Sequence, residues 1–153
     1  METRDAGAAD IDAVVRLVNA AYEVERFIYD GDRTDATECA GLLGTGKLLL
    51  AEQDGVLVGC VYLELREHSG YFGFLSVLPT CQRHGIGRFL VGAAEDWFRR
   101  QGRSVSELQI IDVRGELAEF YRRLGYREIG TTRFPADVPA RLPCHFIRLA
   151  KSL

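Results

Sequence analysis

The chain has 153 residues, 47% apolar and 27% charged, the balance of a water-soluble globular protein able to bury a core. Its formal net charge is −3 with no Lys- or Arg-rich run, so nothing in it reads as a nucleic-acid footprint, and no apolar stretch approaches the roughly 20 residues that cross a bilayer. Cys39, Cys60, Cys81 and Cys144 stand far apart without a Cys-x-x-Cys pair, so no metal site or dithiol motif is readable. Met1-Glu2-Thr3-Arg4-Asp5 has no apolar leader, and a cytoplasmic protein with one domain over residues 1–153 is expected.

In chain order, residues from Asp10 to about Val24 place Ile11, Val14, Val15, Val18 and Ala21 on one helical face, with Asp10 positioned to cap it. Tyr22 to Thr34 mixes charged and aromatic residues and is broken by Gly31. A short helix over Ala36 to Leu43 ends at Gly44 and Gly46. Lys47 to Gln53 and Val56 to Leu65 are β-rich runs joined by Asp54-Gly55, a dipeptide that tolerates the positive φ of a hairpin turn. His68-Ser69-Gly70 makes the next turn, Tyr71 to Val77 a third strand, and Pro79 ends it, since proline cannot donate to a ladder.

Ile86, Leu90, Ala93, Ala94 and Trp97 recur at helical spacing, and Arg99-Arg100 suit the negative end of that helix. Glu107 to Ile111 reads as a buried strand, and Leu117, Phe120, Tyr121 and Leu124 stripe a further helix stopped by Gly125. Strand, helix, strand implies a parallel crossover. Arg127 to Thr132 and His145 to Ala150 supply final strands, separated by a loop holding Pro135, Pro139 and Pro143. The class is mixed α/β, with a central sheet of six or seven strands and about four helices.

Phe74 to Leu90 carries the most chemistry: a buried strand, a proline corner, a two-glycine turn and a helix start. Glycines let main chain approach a ligand, and a helix start offers unpaired N–H groups and the positive end of its dipole, so an anion belongs there. A dinucleotide fingerprint would need glycine where Leu90 stands, and the Gly-Lys-Ser/Thr of a P-loop is missing. The candidate binding set is Ser76, Val77, Gln82, Arg83, His84, Gly85, Ile86, Gly87 and Arg88. Main-chain N–H groups are its principal donors, Gln82, Arg83 and Arg88 add to them, and His84 has no proton-transfer role.

Val77-x-Pro79-x-x-Gln82-x-x-Gly85-Ile86-Gly87 resembles the acyl-CoA-binding motif of the GNAT superfamily of N-acetyltransferases, whose core is Gln/Arg-x-x-Gly-x-Gly/Ala. Leu117 to Tyr126 looks like that superfamily's late helix, where a tyrosine precedes a Leu-Gly-aromatic ending. The resemblance implies a GNAT-like fold whose first strand is Glu2 to Ala6. It also implies that the strands at Val77 and at Glu107 to Ile111 splay around the pantetheine arm of acetyl-CoA. Tyr121 is implied as the acid that protonates the departing thiolate, and Arg114 stands where the family often has Asn.

The general base is open among Glu64, Glu25 and Ser76, with Glu64 entered beside Tyr121 in the catalytic set. The resemblance places acceptor selection in Tyr22 to Thr34 and Phe134 to His145. Glu25, Phe27, Tyr29, Asp30 and Arg33 are then the mouth; its carboxylates favour a cationic amine and Arg33 a carboxylated one. The expected function is direct acetyl transfer from acetyl-CoA to a primary amine of a small molecule or peptide. Ribosomal-type N-terminal acetylation and non-catalytic acyl-CoA sensing are the alternatives. The expected partners are acetyl-CoA, the amine acceptor and, because such domains frequently pair, a second copy in a homodimer.

Overall fold

In the computed structural model, which describes residues 1–153, chain order runs β1 (Glu2–Asp5), α1 (Ile11–Ala21), α2 (Ala36–Thr45), β2 (Lys47–Gln53), β3 (Val56–Leu65), β4 (Gly70–Val77), α3 (Ile86–Arg100), β5 (Val105–Ile111), α4 (Gly115–Arg123), β6 (Arg127–Arg133) and β7 (His145–Ser152). The strands form one seven-stranded sheet in the order β1-β2-β3-β4-β5-β7-β6. Asp54 (φ 54°) and Gly55 (φ 77°) make the tight β2–β3 turn expected of that dipeptide. All neighbours are antiparallel except β4 and β5, which α3 joins by a crossover. A second strand–helix–strand unit, β5–α4–β6, does not close on itself, because β7 inserts between its strands.

Alternation of side chains along the strands makes two cores. Leu48, Leu50, Cys60 and Tyr62 face α1 and α2, while Ala51, Val61, Leu63, Phe72 and Leu108 face the side packed by α3. Helix α1 seats Val14, Leu17 and Val18, each worth ~1.5–3 kcal/mol of burial. It stops at Ala21 rather than Val24, and Tyr22–Glu25 continue as a 3₁₀ turn. Asp10 does not cap α1: its carboxylate accepts from Arg4 (2.8 and 2.9 Å) and from Gly7 N–H (2.9 Å), fastening the turn before the helix. Asp35 does cap α2, accepting from Glu38 N–H at 2.8 Å. No helix is long and apolar enough to cross a membrane.

The parallel pair is short. Only Gly70 with Ser106 and Tyr71 with Glu107 are in register, and beyond them the strands part. Phe74 takes a positive φ of 54°, a bulge that coincides with a register shift between β3 and β4 near Cys60 and Tyr62. Behind the junction, Phe98 of α3 is fully buried against Gly70, where a Cβ would fall 2.2 Å from the ring. Gly70→Ala is therefore expected to destabilise the protein by ~3 kcal/mol, read as a lower urea midpoint with an unchanged denaturant slope.

Candidate active site

After β4 the chain makes a 3₁₀ turn at Pro79–Cys81, passes through positive φ at Arg83 (68°) and Gly85 (81°), and enters α3 at Ile86. None of the main-chain N–H groups from Gln82 through Arg88 donates to an acceptor in the protein; the first ladder bond here is Phe89 N–H to Gly85 O, 2.9 Å. Such a run of free donors at the start of a 15-residue helix fits a diphosphate. Gln82, Arg83, His84 and Arg88 are exposed around it, whereas Ile86 is buried and anchors the turn beneath Gly59. Gln82 Nε2 donates to Val77 O at 3.3 Å. Ser76 turns its side chain into the protein, where its hydroxyl donates to Phe74 O at 2.8 Å, so only its main chain is left for a ligand.

Between the parted strands, the edge of β4 from Phe72 to Val77 has no β5 partner. Where a slot opens in mid-sheet, an extended, amide-bearing arm can take the place of a strand. Leu75, Val77 and Phe120 border it near Gly87, whose missing Cβ would stand 3.6 Å from the Phe120 ring. Tyr121 lies alongside, buried among Phe72, Phe120 and Tyr126, with ring centroids 5.0 to 6.1 Å away. Its hydroxyl has no hydrogen-bond partner, yet no buried polar atom is sealed without one, so the hydroxyl opens to solvent. The neighbouring Tyr126 hydroxyl is instead tied to Ser106 and Glu95, each at 2.8 Å. Burial pushes the Tyr121 phenol well above its ordinary value; Tyr22 adds to this and Arg114 opposes it.

Arg33 lays its guanidinium 4.1 Å from the Phe74 ring and 5.4 Å from Tyr22. Arg114 is not an exposed loop residue: its Nη1 donates to Glu25 at 2.9 Å and its Nε to Glu116 at 2.9 Å. Glu25 is 5% exposed and its other oxygen accepts from the Tyr29 hydroxyl at 2.8 Å. Glu25 and Tyr29 thus belong to the wall of the site and not to its open mouth. Phe27 is 52% exposed at the rim. Glu64 has both oxygens engaged, by the Tyr62 hydroxyl at 2.8 Å and Arg66 Nε at 3.1 Å, so it is no free base.

The two mouth segments are joined. Tyr29 pairs with Ala140 as an isolated β-bridge, Arg141 N–H donates to Ile28 O at 2.6 Å, and Arg141 also pairs with Asp30. Tyr71 and Arg148 each look like an ordinary strand position in the sequence, and only the sheet order brings β4 and β7 to the two sides of β5.

A family model for the acetyltransferase (GNAT) domain matches residues 44–128. The chain belongs to the GNAT acetyltransferase family. It is 29% identical over 119 residues to an uncharacterized N-acetyltransferase of Chlorobaculum tepidum, covering 68% of this chain and 69% of that protein. It is 34% identical over 91 residues to the Danio rerio protein named probable N-acetyltransferase 14, covering 57% of this chain but only 32% of that protein's length. Among solved structures, the ribosomal-protein-alanine N-acetyltransferase of Brucella melitensis shares the fold over 100% of both chains, with a TM-score of 0.79 and 22% identity. An acetyltransferase of Salmonella typhimurium, solved with its cofactor acetyl-CoA, gives 0.75 at 22% identity, over 100% of this chain and 94% of that one.

Arg114→Met would strand the Glu25 carboxylate in a dry site, and is expected to cost ~3 kcal/mol. Adding Glu25→Gln, which can still accept from Tyr29, should return ~1–2 kcal/mol of that loss in urea denaturation.

Proposed function

We propose that this protein transfers an acetyl group from acetyl-CoA directly to the primary amine of a small molecule. The observation that carries this is the unbroken run of free N–H groups from Gln82 to Arg88 beside the slot between β4 and β5. Two of the proteins sharing the fold were solved with acetyl-CoA or coenzyme A, which supports the same ligand here. In this reading the free N–H groups hold the diphosphate, helped by Arg83 and Arg88, and the unpaired edge of β4 hydrogen-bonds the amide-bearing arm.

Acetyl-CoA supplies an acyl thioester open to attack by an unprotonated amine. Tyr121 donates its phenolic proton to the sulfur as the C–S bond breaks, because its hydroxyl is the unpartnered donor beside the slot. The ammonium form of the acceptor, with a solution pKa of about 10, must first lose a proton. Glu25 and Glu64 are both held in ion pairs, so that proton leaves to water on the open acceptor face. Burial of Phe72, Ile110 and Tyr126 around Tyr121 keeps water from the thioester side.

The bond between the mouth segments supports a small acceptor. An extended peptide would need a free strand edge or gap there, and the Tyr29–Ala140 bridge and the Arg141–Ile28 hydrogen bond occupy it. A small acceptor entering over Tyr22, Phe74 and Tyr71 meets no such barrier. The free thiols, with Cys39 and Cys60 buried, fit a cytoplasmic setting.

Titration with CoA should give saturable calorimetric binding; no binding would sink the reading. Tyr121→Phe should lower kcat ~10²-fold while CoA binding persists. Since burial raises the Tyr121 pKa, its proton is retained through the alkaline range, and no loss of activity below pH ~10 arises from this group. The pH–rate profiles of the wild type and of Tyr121→Phe should therefore share one shape below that pH.

A further inference from the structure

Several carboxylates around the acceptor face each meet an arginine, although Arg26, Arg66 and Arg114 each serve a second carboxylate as well. Glu25 faces Arg114 at 2.9 Å, Glu64 faces Arg66 at 3.1 Å, Asp32 faces Arg26 at 3.0 Å, and Asp30 is paired with Arg141. Glu107 accepts from Ser69 at 3.1 Å and lies 4.0 Å from Arg66. Two cations lack a close carboxylate of their own. Arg33 has only Glu38 within reach, at 3.9 Å, and that oxygen already accepts from the Thr34 hydroxyl at 2.6 Å. Arg148 forms no salt bridge, and it borders a cavity of about 80 Å³ together with Arg66, Tyr71, Glu107, Gln109 and Ile129.

That cavity stands at the junction where β4 leaves β5, since Tyr71 and Glu107 form the last register pair before the slot opens. Gln109 and Arg148 are cross-strand partners, so both project from the face that carries Tyr71 and α1. Arg66 stacks 4.1 Å from the Tyr71 ring. Burial raises the Tyr71 phenol, and the charges of Arg66 and then Arg33 oppose the rise. Tyr71 and Phe72 are consecutive on β4, and Phe72 packs on the Tyr121 ring at 6.1 Å, so the cavity and the proton donor flank the same stretch of strand.

We propose that the acceptor is a small primary amine bearing a carboxylate, with Arg148 receiving the carboxylate in this cavity. The inference rests on the acetyltransferase reading and deepens it by naming the substrate class. A polyamine or an aminoglycoside would need free carboxylates, whereas Glu25, Asp30, Asp32 and Glu64 each already face an arginine. A cavity of this size admits a carboxylate with a few carbons, and a planar arginine fork binds it through two parallel hydrogen bonds.

The experiment pairs L-amino acids with their own carboxamides, adding spermidine and an aminoglycoside as cationic controls and a C-terminally amidated peptide. Acetyl transfer is followed by thiol release, and binding by calorimetry with and without saturating CoA. The acids should exceed their amides in kcat/KM by about tenfold to a hundredfold, the scale of a charged hydrogen bond. They should also bind more tightly than the amides in the calorimeter. Arg148→Gln, at an exposed position, should collapse the acid-to-amide ratio toward one, mostly through KM, and Arg148→Lys should restore part of it. Amides, polyamines or the peptide acetylated as well as the acids would overturn the proposal, as would a ratio indifferent to Arg148→Gln. Failure of CoA itself to bind marks the collapse of the transferase reading, and the calorimetric arm without CoA then still decides whether the cavity prefers acids.

Discussion

Everything at this site depends on two adjacent strands that stop pairing. A strand in the middle of a seven-stranded sheet ordinarily satisfies both of its edges, and β4 pairs with β3 along its length apart from the bulge at Phe74 and Leu75 but with β5 only at Gly70 and Tyr71. The parting survives because residues on either side are over-determined. Gly70 lets Phe98 press directly on the junction, Phe74 accepts a positive φ, and Tyr121 and Phe120 of α4 pack into the widening space. The free edge of β4 and the free N–H groups that begin α3 lie one after the other along the chain. A coenzyme with a diphosphate at one end and an amide-bearing arm at the other matches both in the same order.

Electrostatics then separates the two faces. On the coenzyme side the donors are main chain and need no particular side chain, which is why a turn with two glycines can do the work of a cluster of lysines. On the acceptor side the charges are side chains locked to one another. Arg114 is the clearest case: at a position where the family often has Asn, it closes a buried ion pair with Glu25 and so joins the start of α4 to the segment after α1. The pairing leaves both Glu25 oxygens engaged, one by Arg114 and the other by the Tyr29 hydroxyl. The opposing suggestions made by Glu25 and Arg33 in the sequence are thereby unequal in the folded protein.

Much of this was legible before any coordinates. Asp54-Gly55, Pro79, the spacing of Ile86, Leu90, Ala94 and the Leu117 to Leu124 stripe each carry a local physical instruction, and the corresponding turn, strand end and helices form where those instructions put them. The short first strand, poor in β-formers, is held by pairing with β2, a tertiary effect that composition does not register. Asp10 misled because a carboxylate before a helix has two competing donors, and the Arg4 guanidinium with Gly7 N–H outbid the helix end. The ion pair of Glu25 was not legible, because whether a polar side chain is free can depend on a partner far away in sequence, here Arg114, 89 residues on.

The joined mouth segments complete the argument about what can enter. Loops that choose a flexible, extended ligand usually keep an edge free to pair with it. Here the bridge from Tyr29 to Ala140, the hydrogen bond from Arg141 to Ile28 and the packing of Tyr29 on Phe134 leave that edge consumed by the protein itself. The cost of ordering these loops is met during folding instead of at binding, which favours a small rigid acceptor over one that must be wrapped. Closure of the mouth and neutralisation of its carboxylates are parts of one construction, since Glu25 holds Tyr29 in the bridge while Arg114 holds Glu25.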